Sequence, residues 1–290
     1  VKVRADGSMY SATLKIAEGC NNRCAYCIIP FIRGNYRSKR QEAVIAEAKA
    51  LAEAGCRELI LIAQDTTYYG YDLYGEYRLP QLLKQLCQID GIRWIRLMYC
   101  YEDRITDELI QTIREDDKIC NYLDIPIQHA SDNILKAMKR RSTNRSITDK
   151  IAKLKEQIPD IHIRTTLITG FPGETEEDFD TLYDFVAEQR FARLGVFAYS
   201  QEEGTVAGQM PNQIDEEIKT ERADSIMRLQ MEISLEENRS KIDTVQEVIV
   251  DEIDEDGSYI GRTRYDAPEI DNAVIFTGKQ EHKPGDMVMV

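Results

Sequence analysis

The stretch EGCNNRCAYCIIPF at residues 18–31 places three cysteines, Cys20, Cys24 and Cys27, within eight positions. The chain holds only seven cysteines in 290 residues, so the crowding is a local feature and not a consequence of composition. A disulfide needs an even number of thiols, and a structural zinc site usually takes four protein ligands. Three thiolates favour a metal centre that keeps one coordination position open.

The spacing C-x₃-C-x₂-C predicts an iron–sulfur cluster, because a cube of four irons normally takes four cysteines and three leave one iron without a protein ligand. S-adenosylmethionine can chelate that iron through its amino and carboxylate groups. An electron from the cluster then breaks a carbon–sulfur bond and gives a 5′-deoxyadenosyl radical. Tyr26 is predicted to lay its ring beside the adenine. Zinc is the alternative, with a fourth ligand from a distant histidine, His129, His162 or His282.

Short apolar runs alternate with amphipathic stretches from the first cysteine to about residue 200. About six strand–helix units with right-handed connections predict an α/β fold, an open (β/α)6 partial TIM-type barrel. Sites in parallel sheets lie at the carboxyl ends of strands. Besides Cys20, four segments follow predicted strands and are expected to converge on one rim: QDTTYYG (64–70), QHAS (128–131), GFPGE (170–174) and SQEEGT (200–205).

The pattern changes after residue 214. Residues 215–240 read as one long polar helix, and Ser131, far upstream, is predicted to cap a shorter one. Residues 241–290 hold four or five short β-rich runs separated by turn residues, which predicts a small antiparallel, OB-like β-barrel. We therefore predict a core domain at 1–214, a connecting helix at 215–240 and a terminal β-module at 241–290.

Composition narrows the class of protein. The formal net charge of −14 disfavours nonspecific binding to nucleic acid. No apolar run approaches the roughly 20 residues of a membrane span. The first residues do not read as a signal peptide, so secretion is not expected. The other four cysteines are isolated among apolar neighbours and are predicted to be buried and unpaired, which indicates a reducing cytoplasm: Cys56, Cys87, Cys100 and Cys120.

With these motifs in view, the chain resembles the radical S-adenosylmethionine (radical SAM) superfamily and, within it, the methylthiotransferases. The resemblance rests on GCNNRCAYCIIPFIRGNYRSK (19–39), GFPGETEEDF (170–179) and YSQEEGT (199–205), and the terminal β-module resembles their TRAM domain. Further segments are similar to the RimO branch, which modifies a ribosomal protein, and not to the MiaB branch, which acts on tRNA adenosine: QDTTYYG, YLDIPIQHAS (122–131) and YDAPEIDN (265–272).

The resemblance implies that a methylthio group replaces a hydrogen on the β-carbon of an aspartate in small-subunit ribosomal protein twelve. It implies a basic ribosomal protein as partner and an electron donor such as flavodoxin or ferredoxin; a membrane is not expected and tRNA is disfavoured. A second 4Fe–4S cluster is expected only in an N-terminal domain that this chain is expected to lack. The alternatives are a MiaB-like tRNA methylthiotransferase and a non-catalytic iron–sulfur or RNA-binding module.

Five further residues are candidates for contact with S-adenosylmethionine. Gln64 and Asp65 lie where the superfamily often binds the methionine amino group, and Gly170 is expected near the same ligand by resemblance. Gln128 and Arg164 are candidates from their places at and near predicted strand ends. For each the alternative is structural, since polar strand ends and Pro–Gly turns before helices are common. His129 is interpreted as a structural histidine.

Half of the net charge lies in the last sixth of the chain. Residues 241–290 contain twelve Asp or Glu and five Lys or Arg, a net charge of −7. An RNA-binding module would be expected to carry the opposite sign, whereas a basic protein would be attracted. Asp266, Glu269 and Asp271 are predicted to contact such a partner, and the alternative is a solvated acidic surface that only favours solubility.

Overall fold

The computed structural model describes residues 2–3, 7, 9–278 and 280–290. The strands are β1 Lys2–Val3, β2 Met9–Lys15, β3 Ala17–Glu18, β4 Arg37–Ser38, β5 Glu58–Ile62, β6 Trp94–Leu97, β7 Ile119–Asp124, β8 His162–Thr169, β9 Arg193–Ala198, β10 Glu247–Ile253, β11 Tyr259–Thr263, β12 Val274–Phe276 and β13 Met287–Met289. The helices are α1 Ile29–Arg33, α2 Gln41–Glu53, α3 Tyr71–Tyr74, α4 Leu79–Cys87, α5 Asp107–Glu115, α6 Asp132–Ala137, α7 Asn144–Gln157, α8 Glu176–Gln189 and α9 Glu216–Ser240.

Six parallel strands build the main sheet in the order β2-β5-β6-β7-β8-β9, and β1 adds an antiparallel strand at the β2 edge. Helical crossovers join successive parallel strands, as parallel pairing requires. The sheet ends at β1 on one side and at β9 on the other, so the barrel is open. The predicted six-stranded open barrel is confirmed.

Side-chain alternation along the strands separates the core from the site. In β8, Ile163, Thr165 and Leu167 are buried, whereas Arg164 and Thr166 between them are only partly buried. Successive side chains of a strand point to opposite faces. The first set therefore faces the helices and the second faces the interior of the open barrel, where a site can form.

Three helices of the described ranges start at a threonine that caps them: α5 at Thr106, α7 at Thr143 and α8 at Thr175. Thr175 caps α8, because its hydroxyl accepts a hydrogen bond from the backbone of Asp178 at 3.2 Å and the Asp178 carboxylate accepts one in return from Thr175. Ser131 precedes α6 as predicted, but its hydroxyl donates to Asp178 at 2.5 Å and does not cap the helix. Among the helices of the described ranges, none has the length and apolarity needed to cross a membrane.

The terminal module is one antiparallel sheet of four strands in the order β12-β11-β10-β13. Its core joins that of the barrel, because Ile249 of β10 and Ala267 pack in one buried cluster with Trp94 and Tyr122. An antiparallel module was predicted; its burial against the interior side of the barrel was not. The TRAM-like sheet therefore packs onto the barrel and covers part of its interior.

Candidate functional site

The carboxyl ends of the parallel strands open into a cavity of about 630 Å³. Cavities of this size suit ligands of a few hundred daltons. The wall is built from the cysteine loop, from the ends of β2, β5 and β6, from the loop after β7, and from β8 and β9. Ile270 of the terminal module completes it. The position agrees with the rule for parallel α/β sheets.

All three cysteines of the loop line this cavity. Cys20 and Cys24 are 8% and 7% exposed, and Cys27 is partly buried. Burial raises the pKa of the Cys20 thiol to about 11 and also raises the pKa of Cys27. The thiols of Cys20 and Cys27 are therefore protonated near neutral pH, and any metal that they bind must displace protons.

The arrangement of these three thiols decides which kind of metal centre they can form. Within the described ranges, no three His, Cys, Asp or Glu side chains are grouped to hold one metal ion. A cluster of several irons places a different demand on its ligands, because each thiolate binds a different iron. Three soft sulfur donors around one cavity fit such a cluster, and they do not supply the four ligands of a structural zinc site.

A glycine makes the turn into the cysteine loop possible. Gly19 has φ +77°, and a Cβ at this position would lie 2.2 Å from the backbone oxygen of Asn35. Directly after it, the backbone N–H of Cys20 donates to Gly34 at 3.2 Å. A side chain at Gly19 would push these two segments apart and displace the first cysteine.

The GFPGE and SQEEGT segments and the residues beside them pack against the side of the cysteine loop that faces away from the cavity. Ala25 lies in a buried cluster with Phe171 and Tyr199, which follow β8 and β9. Its backbone carbonyl accepts from Ala207 at 2.8 Å, and its N–H donates to Met138 at 3.0 Å. The predicted convergence is thus observed, but these two segments lie behind the loop and do not line the cavity.

Gln64 lies at the cavity wall directly after β5. Its side-chain oxygen Oε1 is buried and has no hydrogen-bond partner among the described residues. Most buried polar atoms in proteins are paired, so an unpaired acceptor in a cavity wall indicates a ligand that donates a hydrogen bond.

Asp65, its neighbour, is used within the protein. The side chain is 1% exposed. It accepts hydrogen bonds from the Asn22 side chain at 2.9 Å, from the Tyr68 backbone at 3.1 Å and from Arg104. Asn22 belongs to the cysteine loop, so Asp65 anchors that loop. The structure gives no support for the predicted contact between Asp65 and a methionine amino group.

Gln128 and Arg164 both line the cavity. Gln128 has φ +73°, a conformation that costs free energy for a residue other than glycine and is found most often at functional sites. Arg164 donates from Nη1 to Asp124 at 2.8 Å, which fixes its direction. Burial opposes the charged form of Arg164, but Asp124 outweighs it and raises the pKa of the guanidinium.

Gly170 is not among the residues that line the cavity. Its N–H donates to both oxygens of the Glu174 carboxylate, at 3.0 and 2.9 Å, and its φ is +71°. A Cβ here would lie 2.1 Å from the side chain of Lys219. Glu174 also contacts His129 at 3.2 Å, so the structural interpretation of that histidine agrees with its surroundings.

Two residues beside the cysteines were not predicted as site residues. The hydroxyl of Tyr101 lies 3.2 Å from the Sγ atom of Cys24, and the guanidinium of Arg140 lies 4.2 Å from the centre of the Tyr101 ring. Tyr26 lines the same cavity. The sequence carried a weak signal, because Tyr101 follows a strand and Arg140 lies in the basic run at 139–145.

The predicted contact carboxylates of the terminal module need correction. Asp266 is 3% exposed and accepts from Arg193 at 2.5 Å, and Asp271 accepts from the Tyr122 hydroxyl at 2.7 Å. Both therefore hold the module against the barrel and offer no free charge to a partner. Of the three, only Glu269 is exposed.

The exposed negative charge of the module lies elsewhere. The end of β10 and the turn that follows it carry Glu252, Asp254, Glu255 and Asp256, and all four are exposed. We call this segment the acidic hairpin (residues 252–256). Exposed carboxylates such as these can attract a partner that comes within a Debye length, whereas Asp266 and Asp271 are already paired with Arg193 and Arg164.

Comparison with known families agrees with this geometry. Residues 14–186 match the family model of the radical SAM superfamily, and residues 242–290 match that of the TRAM domain. The first range contains the cysteine loop and β5 to β8, and the second contains the whole terminal sheet.

Curated relatives extend the match over nearly the whole chain. A protein of Clostridioides difficile named ribosomal protein uS12 methylthiotransferase RimO is 54% identical over 97% of this chain. A protein of Desulforamulus reducens with the same name is 56% identical over 97%. The matches cover 63% and 64% of those two proteins, so the chain spans less than two thirds of the relatives' length.

Solved structures share the fold at low identity. Coproporphyrinogen III oxidase (HemN) from Escherichia coli, described as a radical SAM enzyme, aligns with a TM-score of 0.59 at 16% identity, over 90% of this chain and 65% of its own. Methylornithine synthase (PylB) aligns with a TM-score of 0.55 at 15% identity, over 78% and 63%. At such identities the likeness concerns the fold alone.

Proposed function

The chain belongs to the radical SAM superfamily, and we propose that it forms the radical SAM and TRAM parts of a RimO-type methylthiotransferase. The substrate in this proposal is an aspartate of ribosomal protein uS12, whose β-carbon exchanges a hydrogen for a methylthio group. One observation carries the proposal: the three thiols and the unpaired Gln64 oxygen share one cavity, as a cluster with a chelated S-adenosylmethionine requires.

The superfamily implies a 4Fe–4S cluster and S-adenosylmethionine, and the residues present fit both. Cys20, Cys24 and Cys27 would hold the cluster, and a bound cluster would supply one electron to the sulfonium of S-adenosylmethionine. Gln64 accepts a hydrogen bond from the methionine amino group through its free oxygen. Tyr26, which lines the cavity with the third cysteine, would contact the adenine.

The two polar residues on the far wall complete the site. Gln128 and Arg164 bind the polar parts of S-adenosylmethionine in this proposal, since both line the cavity and the direction of Arg164 is fixed by Asp124. Ile270 brings the terminal module into the wall of this cavity. A TRAM-derived side chain in the wall gives the module a direct influence on which substrate enters.

The partner is proposed to be a basic protein. The module carries a net charge of −7, and the acidic hairpin displays its exposed carboxylates. Potentials of opposite sign accelerate encounter. A phosphate backbone would instead be repelled, which disfavours the MiaB-like alternative and an RNA-binding module.

The remaining parts of the proposal concern the rest of the enzyme. We divide the chain into a core at 1–214, a connecting helix at 215–240 and a TRAM module at 241–290. A second 4Fe–4S cluster is assigned to the part of the relatives that this chain does not match. Flavodoxin or ferredoxin supplies the electron, and the enzyme works in the cytoplasm.

Anaerobic reconstitution tests the proposal. The chain should bind about four irons and, once reduced, convert S-adenosylmethionine slowly to 5′-deoxyadenosine. It should transfer no methylthio group to a uS12 peptide, as judged by mass spectrometry. A protein extended to the relatives' full length should make the transfer. Zinc uptake without iron, or modification of tRNA by the extended protein, would overturn the assignment.

A further inference from the structure

We propose that Tyr101 and Arg140 set the reduction potential of the cluster by stabilising negative charge at the Cys24 sulfur. The inference rests on the proposed function, because it needs a cluster at the three cysteines. It goes beyond that function in assigning a role to two residues that neither hold the cluster nor react.

Tyr101 provides the first contact. Its hydroxyl lies 3.2 Å from Cys24 Sγ, within the range of a sulfur hydrogen bond, and both residues line the cavity. A cluster-bound cysteine is a thiolate without a proton, so in that state only the hydroxyl can donate. The backbone N–H of Tyr101 donates to the Thr67 hydroxyl at 3.1 Å, which holds the ring in place.

Arg140 is the second residue, and its guanidinium is held by Glu102, Pro126 and the Tyr101 ring. Its Nη2 atom donates to both oxygens of Glu102 at 2.9 and 2.7 Å and to the Pro126 carbonyl at 3.1 Å. Ser142 donates to the same carboxylate at 2.5 Å. The guanidinium lies 4.2 Å from the Tyr101 ring centre. Since Arg140 is only 8% exposed, its direction is set by these contacts and not by solvent.

One guanidinium nitrogen of Arg140 is unpaired among the described residues. Nη1 is buried and has no hydrogen-bond partner among the described residues, and Arg140 lines both the main cavity and a small neighbouring one that also touches Cys24 and Tyr101. A buried cationic N–H without an acceptor indicates an acceptor that arrives with a ligand. The sulfur-rich edge of a cluster at Cys24 is such an acceptor.

The expected consequence is a higher reduction potential. Reduction adds one negative charge to the cluster, and hydrogen bonds to the sulfurs together with a nearby cation favour the more negative state. The effect is strengthened because the surroundings are buried and poorly screened. Replacing either side chain should therefore make the cluster harder to reduce, and the cluster should stay bound.

The test is the midpoint potential of the reconstituted chain, followed by absorbance and by electron paramagnetic resonance during titration with dithionite and mediators. Tyr101→Phe should shift the reduction equilibrium about tenfold toward the oxidised cluster, equivalent to about 59 mV for a one-electron couple. Iron content should stay at the wild-type value. Tyr99→Phe is the matched control, because it removes a hydroxyl from the same cavity wall and should leave the midpoint unchanged.

Arg140 is tested separately. Arg140→Gln should lower the midpoint potential more than Arg140→Lys, since lysine retains the positive charge. If the Arg140→Gln variant does not fold, Arg140→Lys alone must still lower the midpoint potential. An unchanged midpoint with about tenfold weaker S-adenosylmethionine binding by equilibrium dialysis would assign Arg140 to the ligand carboxylate and overturn its role here. A Tyr101→Phe midpoint equal to that of Tyr99→Phe overturns the role of Tyr101. A wild-type chain that takes up no iron would refute the proposed function itself.

Discussion

Arg262 of the terminal sheet and Glu58 at the start of β5 form an ion pair of 2.6 Å in which the side chains are 4% and 0% exposed. Arg96 reaches the same carboxylate at 3.1 Å. Burial alone would raise the pKa of Glu58, but the two guanidinium groups outweigh it and lower the pKa to about 2. This network ties the TRAM module to the barrel, so the module acts as a wall of the cavity.

We predict that Glu58→Gln destabilises the protein, because it removes the carboxylate that Arg96 and Arg262 share. Arg262 keeps Asp251 at 2.7 Å, whereas the buried Arg96 loses its ion-pair partner. Loss of one partner of a buried pair costs about 3–5 kcal/mol, so the melting temperature at pH 7 should fall by about 10 °C. Limited proteolysis should release the terminal module sooner. Glu108→Gln removes an exposed partner of Lys84 and should change little.

The lowered pKa of Glu58 also predicts how the stability difference between wild type and Glu58→Gln changes with pH. A carboxylate with a lowered pKa stabilises the fold above its unfolded value near 4.5, and this contribution, roughly 3 kcal/mol, is lost as the pH falls toward 2. The difference in unfolding free energy between wild type and Glu58→Gln should therefore shrink between pH 4.5 and pH 2. A difference that stays constant over this range would contradict the lowered pKa.

Single substitutions of the loop cysteines should abolish the cluster. Cys20→Ala, Cys24→Ala and Cys27→Ala each leave two thiolates, which do not hold a cube of four irons, so iron per chain should fall close to zero after reconstitution. Cys120→Ala is the control, because that thiol lies in the core shared with the terminal sheet. Full iron content in any loop variant would show that its cysteine is not a ligand.

Gln64→Leu should weaken binding of S-adenosylmethionine and leave the iron content unchanged. The substitution removes an acceptor for the charged amino group, a hydrogen bond worth about 1.5–3 kcal/mol, so the Kd should rise about 10- to 100-fold. Equilibrium dialysis with the reconstituted chain measures it. The exposed Gln88 gives a control in Gln88→Leu. Equal Kd values for wild type and Gln64→Leu would mean that the free oxygen faces water and not the cofactor.

Charge reversal in the acidic hairpin should slow association with the basic partner. Replacing Glu252, Asp254 and Glu255 by lysine should lower the association rate constant for purified uS12 about tenfold at low salt, and the difference should fade as salt screens the charges. Dissociation should change little, because such residues act mainly before contact. Stopped-flow or surface-based kinetics at two salt concentrations give both rates.

The matched control reverses three exposed carboxylates on the barrel helices: Glu53, Glu115 and Glu188. It changes the net charge of the chain by the same amount and leaves the hairpin itself unchanged. Equal slowing in both triple variants would reduce the effect to net charge alone, and tighter binding of tRNA than of uS12 by the wild-type chain would contradict the partner proposal.

Local sequence determined the elements and the cluster motif. The six parallel strands and helix α9 agree with the prediction, because apolar periodicity and caps such as Thr175 act within a few residues. The three cysteines were identified for the same reason, since their spacing within one loop needs no distant partner.

Tertiary structure alone decided which polar groups are free. Asp266 and Asp271 look like exposed charges in the sequence, but Arg193 and Tyr122, 73 and 149 positions away, take them into buried contacts. Gln64 was left with an unpaired oxygen, and Tyr101 was brought to Cys24 across 77 positions. Hydrogen bonding and burial depend on distances in space, which the order of residues along a chain does not contain.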